Sequence, residues 1–284
     1  MLLQDNAFLD REIKMAVKRA IDEDFGKAGD VTSKAVIDSG TEIRAEIITK
    51  SSGIIAGLPV AEKTFMYLNP SIGFVPLVSD GDLVDAGVRI AELSGDAHAI
   101  LGGERTALNF LQHLSGIATE ASKYAGKIEG SGIDLLDTRK TMPGLRYLEK
   151  YAAKIGGTVN HRSGLYDQIL IKDNHIKIIR DIGEAIRRAR SAYPGLKVEV
   201  EAETIADVKA AVKAGADIIL LDNMDIELLR ESVRIIGDKA VKEASGGVTL
   251  VNIASIAATG VDRISVGAIT QAARPLDISL EVID

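Results

Sequence analysis

Hydrophobic and polar positions change their spacing several times in the first hundred residues. Residues 9 to 24 place apolar side chains three and four apart, which predicts an amphipathic helix. The segment TEIRAEIITK, residues 41 to 50, alternates apolar and polar side chains as a strand does. Residues 80 to 96 fit short strands separated by glycine and aspartate turns. We therefore expect mixed α and β structure with an antiparallel sheet.

A different pattern begins after Gly102 and Gly103. Residues 104 to 128 place an apolar stripe along a long predicted helix, and candidate strands then alternate with helices. The strand ends lie roughly 20 to 33 residues apart, which is typical of βα units around a parallel sheet. A weak repeat, AGADIILLDN at 214 and TGVDRISVGA at 259, supports this interpretation. The predicted strands are 133–138, 168–171, 197–201, 217–222, 239–245 and 262–266.

The residues that end these strands favour a barrel. A TIM-like barrel gathers functional groups from the carboxyl ends of many strands, whereas an open sheet concentrates them at one switch point. Polar or glycine residues end all six strands here. The tail RPLDISLEVID alternates again and predicts a last strand, which we expect to join the N-terminal sheet. The strand-end groups are Arg139, Lys140, Lys172, Asp173, Glu201, Asp222, Ser245–Gly247 and Gly267.

Composition and charge narrow the function classes. The chain has 284 residues, of which 46% are hydrophobic, enough for the core of one or two domains. A net charge of −7 argues against non-specific nucleic-acid binding and against a basic membrane surface. The absence of cysteine rules out disulfides and thiolate metal sites. The start lacks a signal-peptide pattern, and no apolar run approaches the roughly 20 residues of a membrane span, so we expect a cytoplasmic protein.

Positive charge is concentrated between Arg139 and Lys172, where seven Lys or Arg accompany two Asp or Glu. A basic helix face would explain such a window. However, Arg139, Lys140, Arg162 and Lys172 lie at predicted strand ends or in adjacent loops. Arginine binds carboxylate or phosphate through paired hydrogen bonds, and lysine adds a point charge. In a barrel these four cations would point into one mouth and bind anions.

Carboxylates and glycines end the later strands. Glu199 and Glu201 share one face of a predicted strand, and Asp222 ends the next. Glu201 lies nearer the carboxyl end, and together with Asp222 it suits Mg²⁺ on a phosphorylated ligand or ribose hydroxyls, although charge compensation for the cations is an alternative. Glycines in residues 245–247 and 266–268 end two consecutive strands, where backbone N–H groups of barrels commonly bind phosphate. A single SGG is more often a plain turn.

Arg105, His161 and His175 each have a structural and a functional interpretation. Arg105 lies in the first turn of the long helix, where the helix dipole disfavours a cation. It is either a surface arginine or a residue that reaches a neighbouring subunit. His161 is either structural or an acid, base or hydrogen-bond donor, and beside Arg162 its charged form needs a bound anion. His161 and His175 lack a third partner at any recognised zinc spacing.

The segment LLDTRKTMPGLRYLEKYAAKIGGTVNHRSGLYDQILIKDNH, residues 135 to 175, closely resembles the quinolinate phosphoribosyltransferase family. The similarity spans nearly the whole chain. The other segments that carry it are EDFGKAGDVTS (23–33), ERTALNFLQHLSGIAT (104–119), VEVEAET (198–204), IILLDNM (218–224), EASGGV (243–248), GVDRISVGAIT (260–270) and LDISL (276–280).

The resemblance implies a fold and a reaction. The implied α/β fold has an N-terminal α/β sandwich over residues 1–103, joined by the C-terminal strand 270–284, and an incomplete TIM-like α/β barrel over 104–269 that holds the active site. The implied enzyme is a pentosyltransferase that transfers phosphoribosyl from phosphoribosyl pyrophosphate (PRPP) to quinolinate with decarboxylation. It forms nicotinate mononucleotide, pyrophosphate and CO₂ in de novo NAD biosynthesis. The implied assembly is a homodimer or a hexamer of dimers, without nucleic acid or membrane partners.

The resemblance also implies residue roles. Arg105 would cross from the partner subunit to contact quinolinate, whose carboxylates Arg139, His161, Arg162 and Lys172 would surround. Lys140 would hold pyrophosphate. Glu201 and Asp222 would bind the ribose hydroxyls and Mg²⁺. The substrate-binding residues are thus Arg105, Thr138, Arg139, Lys140, His161, Arg162, Lys172, Glu201, Asp222, Ser245, Gly246, Gly247, Val266, Gly267 and Ala268, of which Lys140, Lys172, Glu201 and Asp222 are expected to be catalytic.

Two departures from the family pattern and four alternatives bear on this assignment. Thr158 follows Gly156-Gly157 where a third glycine is usual, and Thr270-Gln271-Ala272 lacks the usual histidine. The alternatives are a sister enzyme that uses nicotinate without decarboxylation, a molybdate-transport-associated homologue, a Schiff-base aldolase acting through Lys172, and a non-catalytic phosphate-binding module. The five Arg or Lys and His161 favour a dianionic acceptor.

Overall fold

The computed structural model describes residues 6 to 283, which divide into two units. The first unit comprises the chain up to Ser122, Thr141–Gly157 and the residues from Ala273 onward. The second unit comprises Lys123–Lys140 and Thr158–Ala272. Across residues 6 to 283, no helix combines the length and apolar character that a membrane crossing requires.

The first unit is built around an antiparallel sheet. Its four strands lie in the order β12-β1-β5-β3, and a separate pair joins β2 to β4. Ala45 of β1 pairs with Leu93 on one side and Val282 on the other, so the tail strand lies beside β1. The elements of this unit are α1 (Asn6–Phe25), α2 (Val31–Val36), β1 (Glu42–Thr49), β2 (Gly53–Ile54), α3 (Leu58–Leu68), β3 (Gly73–Pro76), β4 (Leu83–Val84), β5 (Arg89–Asp96), α4 (Ala97–Lys127, to Ser122), α5 (Arg146–Ile155) and β12 (Ile278–Val282).

The alternation in β1 turns one face toward the hydrophobic core. Ala45 and Ile47 are fully buried there and pack in a cluster that includes Phe65, Ile90 and Leu111. Burial of such side chains stabilises the fold by roughly 1.5–3 kcal/mol for each large residue. The alternating pattern of residues 41 to 50 is therefore confirmed as a half-buried strand.

The long helix α4 begins earlier than the sequence pattern indicates. It starts at Ala97, so Gly102-Gly103 and the predicted boundary between residues 103 and 104 lie inside it. A Cβ on Gly102 would come within 2.8 Å of Phe25, and one on Gly103 within 3.0 Å of Phe65. The glycines therefore serve close aromatic packing, which outweighs their helix cost of roughly 1 kcal/mol each.

The second unit is built on a parallel sheet. Its strand order is β6-β11-β10-β9-β8-β7, as in a partial barrel, and every adjacent pair is parallel. All six predicted strands are confirmed, with ends shifted by at most two residues. The elements are β6 (Asp134–Leu136), β7 (Ile169–Ile171), α6 (Asp173–Ile179), α7 (Ile182–Ala192), β8 (Val198–Ala202), α8 (Ile205–Ala214), β9 (Ile218–Asp222), α9 (Ile226–Ile236), β10 (Val241–Ser245), α10 (Ile253–Ala257), β11 (Arg263–Ser265) and α11 (Ala268–Gln271).

The register of the parallel strands brings their carboxyl ends together. Ser245 at the end of β10 pairs with Asp222 at the end of β9, and Glu201 of β8 lies opposite Leu220. β8 is buried along its whole length, as expected for a strand covered on both faces. Polar groups at these strand ends therefore lie at one edge of the sheet.

Candidate functional site

A cavity of about 640 Å³ lies at the carboxyl ends of the second unit's strands. It is the place where loops of a parallel α/β sheet converge. Its walls contain thirteen of the fifteen predicted substrate-binding residues. These are Thr138, Arg139, Lys140, His161, Arg162, Lys172, Glu201, Asp222, Ser245, Gly246, Gly247, Gly267 and Ala268.

The other two predicted residues, Val266 and Arg105, lie elsewhere. Val266 is buried, and its N–H donates to the Leu136 carbonyl between β11 and β6. Arg105 belongs to α4 in the first unit, where its side chain is 64% exposed. It lines a different cavity, of about 430 Å³, together with Asp24 and His113.

Two arginines form the most buried cationic part of the cavity wall. Arg162 is only 9% exposed, and its Nη1 donates to the Gln168 carbonyl at 3.1 Å. Burial lowers the pKa of the Arg162 guanidinium, and the positive charge of Arg139 lowers it further, against the charges of Glu199 and Asp167. Two neighbouring guanidinium groups with restricted access to water favour binding of an anion.

Another part of the cavity wall contains both lysine and carboxylate side chains. Lys172 Nζ lies 3.2 Å from Glu201 Oε2, and the Asp173 N–H donates to the other oxygen at 3.4 Å. Burial and then the charge of Glu201 raise the pKa of Asp222, against the charges of Lys172 and Lys140. The arrangement offers both signs of charge within one cavity, as a ligand with phosphate and hydroxyl groups requires.

Three carboxylates could hold a divalent cation. Oxygen atoms of Glu201, Glu203 and Asp222 all lie within 4.8 Å of one another. Carboxylate oxygens are the ligands that Mg²⁺ accepts, and one or two of them with substrate oxygens are the usual set. Glu203 was not among the predicted site residues, although it follows Glu201 by two positions, directly after the end of β8.

The glycine loop after β10 is tied to the end of β9 by Asn223, a residue that the sequence interpretation missed. The Asn223 N–H donates to the Ser245 carbonyl at 2.9 Å, and its side-chain amide donates to Asp222 Oδ2 at 2.7 Å. Asn223 adopts a left-handed backbone with φ of 55°, and Gly246 and Gly247 have φ of 85° and 60°. Asparagine tolerates this region better than most side chains. The LDN sequence at a strand end was the only local signal.

Two buried glutamates contact His161, and neither was among the predicted substrate-binding residues. His161 Nε2 lies 3.3 Å from Glu243 Oε1 and 3.5 Å from Glu199 Oε2, and both glutamates are fully buried. Burial alone would lower the pKa of His161, but hydrogen bonding to Glu199 and Glu243 and their charges raise it to about 9. The Arg162 N–H donates to His161 Nδ1 at 2.7 Å, a contact that favours the neutral ring and opposes the two carboxylates.

Asp137, also missed, fixes the backbone on which His161 lies. Asp137 is fully buried, and its carboxylate accepts hydrogen bonds from the His161 N–H at 2.8 Å and from the Asn160 side-chain amide at 2.6 Å.

The side chains of His161, Glu199 and Glu243 also have the ligand types that could hold a metal ion. Acidic residues in the middle of predicted strands of a parallel sheet, which is usually covered on both faces, were the available signal for Glu199 and Glu243, because buried carboxylates require a partner.

Comparisons with known proteins agree with this geometry. Family models described as quinolinate phosphoribosyl transferase, N-terminal domain and C-terminal domain, match residues 30–115 and 117–281. A probable nicotinate-nucleotide pyrophosphorylase [carboxylating] from Bacillus subtilis is 42% identical over 272 residues, covering 95% of this chain and 93% of the relative. A protein of the same name from Methanothermobacter thermautotrophicus is 44% identical, covering 89% and 93%.

A solved structure of a relative has the same fold as this chain. The nicotinate-nucleotide pyrophosphorylase from Francisella tularensis superposes with a TM-score of 0.91 at 39% identity, covering 96% of each chain. Both family models and the relatives that match nearly full length point to one assignment. The chain belongs to the quinolinate phosphoribosyl transferase family.

Proposed function

We propose that this chain transfers the phosphoribosyl group of PRPP to quinolinate and releases pyrophosphate and CO₂, which gives nicotinate mononucleotide for NAD biosynthesis. The observation that carries the proposal is the cavity that combines the Arg139–Arg162 pair, two lysines, two carboxylates and a glycine loop. Such a cavity has separate groups for a dicarboxylate, for a pyrophosphate, for ribose hydroxyls and for a 5′-phosphate. Membership of the family supports the same reaction.

Quinolinate binding is assigned to the arginine side of the cavity. Arg139 and Arg162 pair with its two carboxylates, and Lys172 adds charge at the rim. His161 has its Nε2 directed toward Glu199 and Glu243, so its part in this proposal is to hold the backbone N–H of Arg162 in place. The acceptor is thereby oriented toward the ribose carbon, which supplies much of the rate enhancement.

PRPP binding is assigned to the carboxylates, Lys140 and the glycine loop of the same cavity. Glu201 and Asp222 accept hydrogen bonds from the ribose hydroxyls, and the N–H groups around Gly246 and Gly247 bind the 5′-phosphate. Lys140 binds the pyrophosphate and stabilises its charge as it leaves. Glu201 and Asp222, with Glu203, would hold Mg²⁺, which when bound neutralises charge on the phosphate oxygens.

The chemistry then requires no covalent protein nucleophile. The bond from the ribose carbon to pyrophosphate breaks while positive charge develops on the sugar, and the pyridine nitrogen of quinolinate donates its electron pair to that carbon. The positive nitrogen of the pyridinium so formed stabilises the electron pair that stays on the adjacent ring carbon when its bond to the carboxylate breaks. CO₂ leaves, and the ring carbon takes a proton from water, which gives nicotinate mononucleotide. Carboxylates and lysines aimed at the developing charges lower the barrier electrostatically.

Lys172 does not have the setting of a Schiff-base lysine. Such a nucleophile is activated by desolvation, whereas the Lys172 side chain is 50% exposed and pairs with Glu201. The structure therefore gives no support to the aldolase alternative.

The same proposal includes Mg²⁺ as the metal and a dimer, or a hexamer of dimers, in which Arg105 enters the cavity of the neighbouring subunit. The high exposure of Arg105 on α4 supports its availability to a partner. A cytoplasmic location stays a prediction.

One coupled assay tests the function. The purified chain is incubated with PRPP, Mg²⁺ and quinolinate labelled in the 2-carboxyl group, and labelled CO₂ and nicotinate mononucleotide are followed together. Equal release of both products is expected, with no turnover when nicotinate replaces quinolinate. Turnover of nicotinate, or nucleotide formation without CO₂, would contradict the proposed acceptor.

A further inference from the structure

The hydroxyl of Thr270 is bonded to the backbone of Lys140. Thr270 lies on α11, directly after β11, and is 5% exposed. Its Oγ1 donates to the Lys140 carbonyl at 2.8 Å and lies 3.5 Å from the Gly267 carbonyl. Because β6 and β11 are parallel neighbours in the sheet, the segments that follow these two strands begin side by side. The bond thus joins α11 to the segment after β6, which is far away in sequence.

Gly267 lies directly beneath the side chain of Lys140. Its φ of −66° and ψ of −29° are ordinary helical values, which any residue adopts, so the backbone does not require glycine there. A Cβ at this position would come within 2.8 Å of Lys140 Cδ and 3.4 Å of Nζ. The missing side chain therefore leaves space for the lysine.

Lys140 needs such support because its own segment has no regular structure. It follows β6 in a stretch outside any helix or strand, where its N–H donates to Thr138 Oγ1 at 3.1 Å. A lysine side chain loses much rotamer entropy when it is fixed in one conformation. Lys140 lines the cavity, and fixing its carbonyl and its aliphatic stem restricts where the ammonium group points.

We propose that Thr270 and Gly267 are positioning residues for Lys140. The Thr270 hydroxyl fixes the Lys140 carbonyl, and the bare Cα of Gly267 leaves the path by which the side chain reaches the cavity. The inference rests on the proposed function for the role of Lys140, which is to bind pyrophosphate. Neither Thr270 nor Gly267 needs to touch the reacting atoms.

The test is a double-mutant cycle between Thr270→Val and Lys140→Ala, with Thr270→Ser as the conservative variant. Thr270→Val removes the donor while it keeps the shape of the side chain. It is expected to lower kcat by about tenfold and to weaken pyrophosphate inhibition, with KM for quinolinate within about twofold. Thr270→Ser is expected to retain most of the activity. In the Lys140→Ala background, Thr270→Val is expected to have no further effect.

Gly267→Ala provides an independent arm, with Gly195→Ala as its matched control. An added Cβ at Gly195 would meet nothing within 4 Å, and Gly195 lies in the same unit. Gly267→Ala is expected to reproduce the kcat loss and the weakened pyrophosphate inhibition, whereas Gly195→Ala leaves both unchanged. Equal losses from Thr270→Val with and without Lys140, or an equal rise in KM for both substrates, would overturn the proposal.

A readout without turnover separates this inference from the proposed function. Lysines are reductively methylated with ¹³C, and the Lys140 resonance is identified by its absence in Lys140→Ala. That resonance is expected to shift in Thr270→Val and Gly267→Ala and to stay in place in Gly195→Ala. If the unmodified enzyme failed to turn over quinolinate, the proposed function would fail, yet these shifts would still report the positioning. Unchanged shifts in both variants would overturn the inference, whatever the activity.

Discussion

Asn223 packs against the bare Cα of Gly246 at the end of the cavity. A Cβ on Gly246 would come within 2.2 Å of Asn223 Oδ1 and within 2.9 Å of its backbone nitrogen. Gly246 also has φ of 85°, which other residues rarely adopt. Two separate reasons therefore require glycine at position 246: its left-handed backbone and the close contact with Asn223. The Asn223 side-chain amide in turn donates a hydrogen bond to Asp222.

Gly246→Ala is expected to weaken PRPP binding by at least about tenfold. The added methyl group displaces Asn223, and with it the hydrogen bonds that join the glycine loop to Asp222. PRPP affinity by calorimetry would measure the loss. Gly215→Ala is the control, because Gly215 has φ of 75° but no atom within 4 Å of an added Cβ. It should cost about 1 kcal/mol of stability from backbone strain and leave PRPP affinity intact. Similar PRPP affinities in the two variants would contradict the role of the Asn223 contact.

Local patterns predicted β1, β12 and the six strands of the parallel sheet, because these have a clear periodicity or a regular position between helices, whereas β2 and β3 were not predicted. Residues 41 to 50 alternate, and the predicted strands of the parallel sheet recur between helices at intervals of roughly 20 to 33 residues. The start of α4 was missed because Gly102 and Gly103 are explained by Phe25 and Phe65, which are distant in sequence. A local pattern carries no information on such contacts.

Most of the candidate site could be predicted because parallel strands deliver their carboxyl ends to one edge. Arg139, Lys172 and Asp222 needed only strand assignments to be placed near one another. Asn223 and Glu243 were missed because their roles depend on residues distant in sequence. Asn223 has a left-handed backbone and packs against Gly246, and Glu243 contacts His161. The roles of the predicted residues stay predictions until variants are measured.

The free energy of unfolding is expected to fall as pH rises from 6.5 toward 9, through the loss of the proton from His161. The native pKa of His161, about 9, lies above its ordinary value of 6.5. The native state therefore holds the proton more tightly, so this contribution is complete below pH 6.5 and disappears as pH passes 9. Denaturant unfolding at several pH values would measure the slope, which His161→Asn should reduce.

Glu243→Gln should also reduce this slope, because it removes one of the two carboxylates that stabilise the charged ring. Glu231→Gln, on the exposed face of α9, is the control for the loss of one negative charge. NMR titration of the His161 ring would show directly which contact prevails. A neutral ring at pH 8 would mean that the Arg162 N–H outweighs Glu199 and Glu243.

Glu201→Gln is expected to lower kcat/KM by at least about 100-fold, a loss of roughly 3 kcal/mol in transition-state stabilisation. Glu201 is nearly buried, pairs with Lys172 and lies beside Asp222, so its loss disturbs both substrates. Glu203→Gln is the matched control, because Glu203 belongs to the same cluster of three carboxylate side chains as Glu201 but is exposed. It should raise the Mg²⁺ concentration needed for half-maximal rate by only a few-fold. Equal losses in the two variants would contradict the special position of Glu201.

Mixing Arg105→Ala with Lys172→Ala protein is expected to restore activity that neither has alone. In a dimer whose sites share Arg105, a mixed pair contains one site with both residues intact. Random subunit exchange makes half of the dimers mixed, so about a quarter of the activity of the unmodified enzyme should return. Arg139→Ala mixed with Lys172→Ala is the control, because both residues line the same cavity of one chain and no intact site can form. If exchange is demonstrated by mass spectrometry and the first mixture stays inactive, Arg105 does not act across subunits.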